Sequence, residues 1–179
     1  MKRINLWGIS ALYAFLLILM PGASFAAERI EDKISGVWYY DAQKTYSSVE
    51  NLQIMYKDIA KATGMSTNDA AEYVKQVLPT SIAVMEGGSL EINFHSNTLT
   101  MYTKTPPPEL KAFEFRRDFS VLRLSGNSIT LDLGATTMPS GAAVPGTIMK
   151  YSFEHAGDGR DVLVAEMVNG MKTYLYRAR

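Results

Sequence analysis

Residues Leu90–Thr103 read LEINFHSNTLTMYT, and this stretch decides the fold. Apolar and polar residues alternate before and after Ser96-Asn97. Because successive side chains of a strand point to opposite faces, this period predicts two strands with one apolar face each. A tight turn at Ser96-Asn97 joins them into a half-buried hairpin. The predicted cross-strand pairs are Phe94 with Leu99, Ile92 with Met101, and Leu90 with Thr103.

A second hairpin of the same kind surrounds Gly126-Asn127. Side chains again alternate on both sides of this dipeptide, and a two-residue turn sorts apolar from polar residues. Further alternating segments precede and follow it, at Phe113–Arg116 and Met149–Phe153. The predicted pairs are Leu124 with Ile129, Arg123 with Thr130, and Leu122 with Leu131.

The last hairpin, Val162–Val168 with Met171–Arg177, is largely apolar on both faces. Asn169-Gly170 predicts a two-residue turn, and strands that are apolar on both sides need a cover on each side. A predicted helix pair provides that cover, and we expect it to pack on the outer wall; packing across a barrel mouth is the alternative. The predicted pairs are Val168 with Met171, Glu166 with Thr173, Val164 with Leu175, and Val162 with Arg177.

The helix pair follows a first strand, Ile34–Tyr40, and is predicted within residues 47–79. Its first helix places apolar residues at helical spacing and ends near Gly64, and its second begins at Ser66. Pro79 predicts the end of the second helix. The fold class is therefore mainly β with helices (α+β). We expect an antiparallel meander barrel of about eight to nine strands with a helix-turn-helix inserted after the first strand, since closure removes exposed edges.

The beginning of the chain is typical of a secretory signal peptide. Lys2 and Arg3 precede the apolar run Leu12–Met20, and small residues follow in Ala23–Ala27. We expect residues 1–27 to be removed and the protein to be periplasmic or secreted. The chain has no cysteine for a disulfide or a lipid anchor. We expect no transmembrane anchor in the mature chain.

Charge and motifs narrow the function classes. Removal of Lys2 and Arg3 leaves two more acidic than basic residues, which does not favour nucleic acid. The two histidines, His95 and His155, lie in or beside predicted turns without further ligands at metal spacing. No nucleophile elbow, phosphate loop or dinucleotide motif is present. We expect no metal, no cofactor and no catalytic residue, and an enzyme ranks third among the possible functions.

Gly36-Val37-Trp38 resembles the Gly-x-Trp that opens many lipocalin-like, or calycin, barrels. The resemblance implies that Arg177 or Arg179 packs across Trp38. A helix pair after the first strand is similar to the intracellular fatty-acid-binding proteins, where an Arg-x-Tyr pair near the C-terminus holds a carboxylate. Here Tyr176 matches the tyrosine and Tyr174 stands in place of the arginine. The resemblance implies a single barrel domain over residues 28–179.

These observations lead to two functional hypotheses. The first is an exported soluble barrel that binds a small apolar or amphipathic molecule, with its interior as the site. The alternative is an interaction module with a filled barrel, such as an inhibitor or an envelope accessory factor. It contacts another protein through the Gly134–Gly146 loop or the Pro-rich loop at Pro106–Pro108. The candidate ligand-binding residues are Trp38, Met101, Met149, Tyr151, Tyr174, Tyr176 and Arg177.

Overall fold

The computed structural model describes residues 29–103, 113–137, 141 and 143–177. The predicted signal peptide, the Pro-rich loop, part of the Gly134–Gly146 loop and Arg179 lie outside the described residues. The helices are α1 (Ile30–Ile34), α2 (Ala42–Ser47), α3 (Val49–Thr63) and α4 (Thr67–Met85). The strands are β1 (Gly36–Tyr40), β2 (Ser89–Asn93), β3 (Thr98–Thr103), β4 (Phe113–Ser125), β5 (Ser128–Leu133), β6 (Thr136–Thr137), β7 (Ala143–Val144), β8 (Thr147–His155), β9 (Asp161–Met167) and β10 (Lys172–Tyr176).

Eight antiparallel strands close into a barrel in the order β1-β10-β9-β8-β5-β4-β3-β2. Strands β6 and β7 form a separate two-stranded ribbon between β5 and β8. The barrel and the helices that follow its first strand confirm the predicted fold class. One end of the barrel carries Gly36 and Ile92, and we call it the closed end. The other, where Tyr40 and Ser89 lie, is the open end.

The first hairpin keeps the predicted faces but not the predicted pairs. Ile92 lies opposite Leu99 and Leu90 opposite Met101, a displacement of two residues from the predicted register. The turn is longer than expected because the Asn93 Oδ1 accepts hydrogen bonds from two backbone N–H groups within the turn. Since the side-chain period is two, this displacement leaves every side chain on its predicted face.

The second hairpin has the predicted register only near its turn. Leu124 lies opposite Ile129, as predicted, but Leu131 pairs with Val121 instead of Leu122. A β-bulge between Val121 and Arg123 adds one residue to β4. The extra residue, Leu122, is therefore exposed, and the strand bends at this point.

The last hairpin differs from its predicted register by one residue, so its faces change. Met167 donates its backbone N–H to the Met171 carbonyl, which leaves a three-residue connection with Gly170 at φ 84°. This left-handed glycine is typical of a three-residue hairpin loop with a bulge. Leu175 consequently pairs with Leu163 inside the barrel, and Tyr174 pairs with Val164 on the outer face.

The helical segment extends beyond its predicted limits. Gly64 ends α3 in the left-handed conformation, and the Ser66 side chain accepts a hydrogen bond from the Asp69 N–H at the start of α4, as expected. Helix α4 continues through Pro79 to Met85, so the predicted end at Pro79 is wrong. Proline in a helix interior costs roughly 3 kcal/mol. The helix continues past Pro79 because its last turn packs at the open end of the barrel, which offsets this cost.

A buried asparagine joins these helices to the start of β10. The Asn51 Nδ2 donates to the Thr45 and Lys172 carbonyls at 2.7 and 2.6 Å, and its Oδ1 accepts from the Lys172 N–H at 2.9 Å. The Thr45 hydroxyl accepts from the Tyr174 N–H at 3.0 Å. Helix α2 therefore lies against the outer face of β10, where the Lys44 ammonium lies over the Tyr174 ring. Helix α4 lies at the open end, which differs from the expected outer-wall packing.

Helix α1 fills the closed end. Ile34 is fully buried in the barrel core, and its carbonyl accepts a hydrogen bond of 2.8 Å from the Trp38 indole. The Arg177 guanidinium lies 4.6 Å from the centre of the Trp38 ring and donates to the Lys33 and Ser35 carbonyls. The expected packing of Arg177 on Trp38 is therefore confirmed.

Candidate functional site

The half of the barrel interior near the open end contains a cavity of about 250 Å³. Ala165 on β9 and Thr173 on β10 face each other across the strand pair, and both line this cavity. These small side chains do not fill the space that larger residues fill at the closed end. The lining is apolar at Leu99, Met101 and Met149. The two methionine side chains are flexible, so the shape of this lining can adapt.

A groove of about 520 Å³ lies outside this cavity, between helix α4 and the open end. Val77 and Val84 of α4 form part of its wall. Tyr40, Met85 and Met101 line both the groove and the cavity. The two spaces are therefore adjacent.

One charged side chain, Arg117 on β4, lies within the cavity wall. It pairs with Leu99 of β3, so both face inward, and Arg117 is only 7% exposed. Its Nη2 donates to the carbonyls of Leu133, Gly134 and Pro145 at 3.0, 2.6 and 2.9 Å. The Nε is buried and has no hydrogen-bond partner within the described part of the chain. Burial lowers the pKa of the guanidinium, which nevertheless stays charged because arginine does not deprotonate in proteins.

Two tyrosines are the other ionisable groups of the cavity. Tyr151 is almost completely buried, and its hydroxyl makes a weak contact of 3.7 Å with the Met149 sulfur. Burial raises the pKa of both Tyr40 and Tyr151 above the ordinary value. Tyr151 also lies close enough to Tyr40 and Arg117 for their charges to affect its pKa. Both phenols therefore remain neutral hydrogen-bond donors at physiological pH.

The structure separates the candidate residues into two groups. Met101, Met149 and Tyr151 line the cavity. Trp38 and Arg177 lie at the closed end and contact each other there. Tyr174 and Tyr176 lie on the outer face of β10, where the Tyr176 ring stacks on Tyr39. Their assignment to a ligand site followed from the C-terminal Arg-x-Tyr resemblance, which this geometry does not support.

Sequence reasoning missed the central polar residue of the cavity. The sequence offers two interpretations of the charged cluster Arg116-Arg117-Asp118, an anion contact at the barrel mouth and a solvated strand end. It favours the second, so Arg117 is not among the candidate residues. The alternation of Phe115, Arg117 and Phe119 contains the necessary signal, since all three are buried while Arg116 is exposed. Tyr40, Met85 and Thr173 also line the cavity, and their contribution depends on how the ends of separate elements meet.

Other candidate chemistry is sparse in the described ranges. They hold no group of three or more His, Asp or Glu side chains arranged to bind a metal ion. His95 is exposed, and the His155 Nδ1 lies 3.0 Å from the Asp161 carboxylate at the surface. Among the described helices, none is long and apolar enough to cross a membrane.

Comparison of the chain with protein-family models, curated proteins and solved structures found no match. The geometry of the cavity is therefore the basis for an assignment of function. Its features are an apolar wall, one buried cation and an adjacent groove under a helix.

Proposed function

We propose that this protein binds a small apolar or amphipathic molecule inside its barrel. The observation that carries the proposal is the internal cavity of about 250 Å³, adjacent to the groove under α4. Small-molecule sites are usually concave and mostly apolar, with a volume of roughly 300–1,000 Å³ and a few polar groups. The groove alone falls within this range, and the cavity extends it into the barrel.

The lipocalin-like resemblance belongs to the same proposal. Proteins with this architecture carry ligands inside their barrels, and the Gly-x-Trp segment with an arginine packed on the tryptophan is present here. Fold alone does not establish function. The support therefore comes from the cavity itself, and from the methionines that let its volume adapt to a flexible ligand.

A neutral fluorescent probe, N-phenylnaphthylamine, tests this function in the protein without residues 1–27. We expect saturable fluorescence enhancement with the folded protein. Ala165→Trp places an indole inside the cavity and should abolish binding. Glu166→Trp adds the same indole to the next residue of β9, on the outer face opposite Lys172, and should leave binding intact.

Circular dichroism and thermal unfolding show whether each variant is folded. If Ala165→Trp does not fold, Thr173→Phe fills the same space from the neighbouring strand. Loss of probe binding in a folded, filled variant supports the carrier. If the probe does not bind the folded protein, or binds equally to the filled variants, the carrier proposal is wrong.

An interaction module is the second candidate, and one surface feature favours it. Val121, Leu122 and Leu124, at the bulged end of β4, are between 42% and 53% exposed. Adjacent exposed apolar residues often belong to protein contacts. Native mass spectrometry of protein purified from its own host distinguishes the candidates, because it shows either a retained small molecule or a bound protein.

We further propose that the protein works in the periplasm or outside the cell. The support is the segment of charged, apolar and small residues within residues 1–27. The intact mass of the mature protein tests this, since cleavage should remove the first 26 or 27 residues. A mature protein that retains Met1 contradicts export with cleavage.

A further inference from the structure

The charge of Arg117 is unbalanced within the cavity. Its carbonyl partners carry partial negative charge only, and the cavity lining in the described residues includes no aspartate or glutamate. Asp132 interacts with Arg117 electrostatically but belongs to the alternate, outward positions of β5, between the buried residues Leu131 and Leu133. The interior of this half of the barrel is therefore electropositive.

A purely structural role explains the guanidinium only in part. Nη2 has two hydrogens for three carbonyl acceptors, so that side of the group is saturated. The Nε hydrogen remains unused in a buried position. A buried donor without an acceptor is unfavourable, and more so when the donor is charged. A neutral amide donor would cap the carbonyls without this cost.

Further donors line the same cavity. Tyr40 and Tyr151 stay protonated, and no residue in the described chain accepts a short hydrogen bond from either hydroxyl. Thr147 and Thr173 add hydroxyl groups to the lining. Around these polar groups the wall is apolar, so an anionic oxygen would meet donors in a region of low dielectric constant.

We propose that the ligand is an amphipathic anion, with one acidic head group and an apolar chain. The head group accepts a hydrogen bond from the Arg117 Nε, and the phenols of Tyr40 and Tyr151 supply further donors. The apolar chain extends past Met85 and Met101 towards the groove under α4. This inference rests on the proposed function, since it names the ligand class of that same cavity.

Three probes with the same apolar chain test the head group in the unaltered protein: octanoate, octanol and octylamine. Displacement of N-phenylnaphthylamine reports the affinity of each probe at neutral pH. We expect octanoate to bind roughly 10- to 100-fold more tightly than octanol, the range for a charge-assisted hydrogen bond. Octylamine, which is a cation at this pH, should bind most weakly.

Arg117→Met removes the guanidinium, and Arg116→Met is the matched control on the outer face of the same strand. Arg117→Met should lose the preference for octanoate over octanol, whereas Arg116→Met should keep it. Tyr151→Phe removes one donor with little change of shape. It should weaken octanoate binding about threefold or more, and octanol binding less.

The outcomes separate this inference from the proposed function. If the unaltered protein binds octanoate and octanol with equal affinity, or prefers octylamine, the proposal of an anionic ligand is wrong. The proposal that the protein is a carrier is unaffected by either result. Absence of all binding, including that of the neutral dye, overturns both. If Arg117→Met does not fold, the three-probe comparison in the unaltered protein and the Tyr151→Phe variant decide the question.

Discussion

Replacement of Trp38 tests the closed end of the barrel, on which the shape of the cavity depends. Trp38 is fully buried, donates a hydrogen bond of 2.8 Å to the Ile34 carbonyl, and lies under the Arg177 guanidinium at 4.6 Å. Deletion of a buried aromatic side chain costs about 3–5 kcal/mol. We expect Trp38→Ala to lower the free energy of unfolding by about this amount, a large part of the roughly 5–15 kcal/mol available to a domain.

The measurement is urea unfolding followed by circular dichroism, in protein that begins at Glu28. With a slope of about 1–3 kcal/mol/M, the expected loss moves the midpoint by about 1–5 M urea. Val37→Ala is the matched control, because Val37 is the neighbouring residue of β1 and is 41% exposed. Its expected cost is below about 1 kcal/mol.

A double-mutant cycle separates the ring contact from general packing. Arg177→Met removes the charge above Trp38, and the coupling energy with Trp38→Ala should be about 1 kcal/mol. The indole of Trp38 also serves as a reporter in the unaltered protein, since the other tryptophan, Trp7, lies in the predicted signal peptide. Its emission should shift to longer wavelength on unfolding. If the midpoint of Trp38→Ala equals that of Val37→Ala, our account of the closed end is refuted.

Asn51→Ala should lower the free energy of unfolding by about 2–4 kcal/mol, because the buried Asn51 side chain makes one hydrogen bond to Thr45 and two to Lys172 of β10. An unchanged urea midpoint contradicts this. Gly170→Ala should cost about 1–2 kcal/mol in the same assay, since Gly170 has a φ of 84°, and a neutral effect counts against the three-residue turn. Burial raises the pKa of Tyr40 and Tyr151, so the stability that they contribute is present below about pH 10 and is lost as pH rises further. The decline should approach about 1.4 kcal/mol per pH unit per tyrosine, and Tyr151→Phe should reduce its slope; an equal slope in that variant contradicts the burial effect.

Local sequence information was sufficient for the kind of structure but not for its registers. The two-residue period identified the strands of the Leu90–Thr103 hairpin and the face of each side chain. Its turn length depended on the Asn93 side chain, which captures two backbone N–H groups. At Asn169-Gly170, an added turn residue changed the face of every residue in β10. Periodicity therefore predicts a strand securely. Two adjacent turn-forming residues, in contrast, are compatible with several turn lengths and so do not fix the register of the hairpin.

The sequence by itself determined the antiparallel barrel and the helix pair after its first strand, and the Gly-x-Trp resemblance implied that Arg177 or Arg179 contacts Trp38. These follow from local period, capping residues and a short motif. Only the tertiary structure decided that a cavity remains near the open end and that Arg117 lies in its wall. The physical reason is that volume and charge balance are sums over many strands. Small residues on β9 and β10 leave a space only if the side chains of other strands do not fill it. The charge of Arg117 is balanced only if an aspartate or glutamate lies beside it. Both conditions depend on residues that are distant in the sequence.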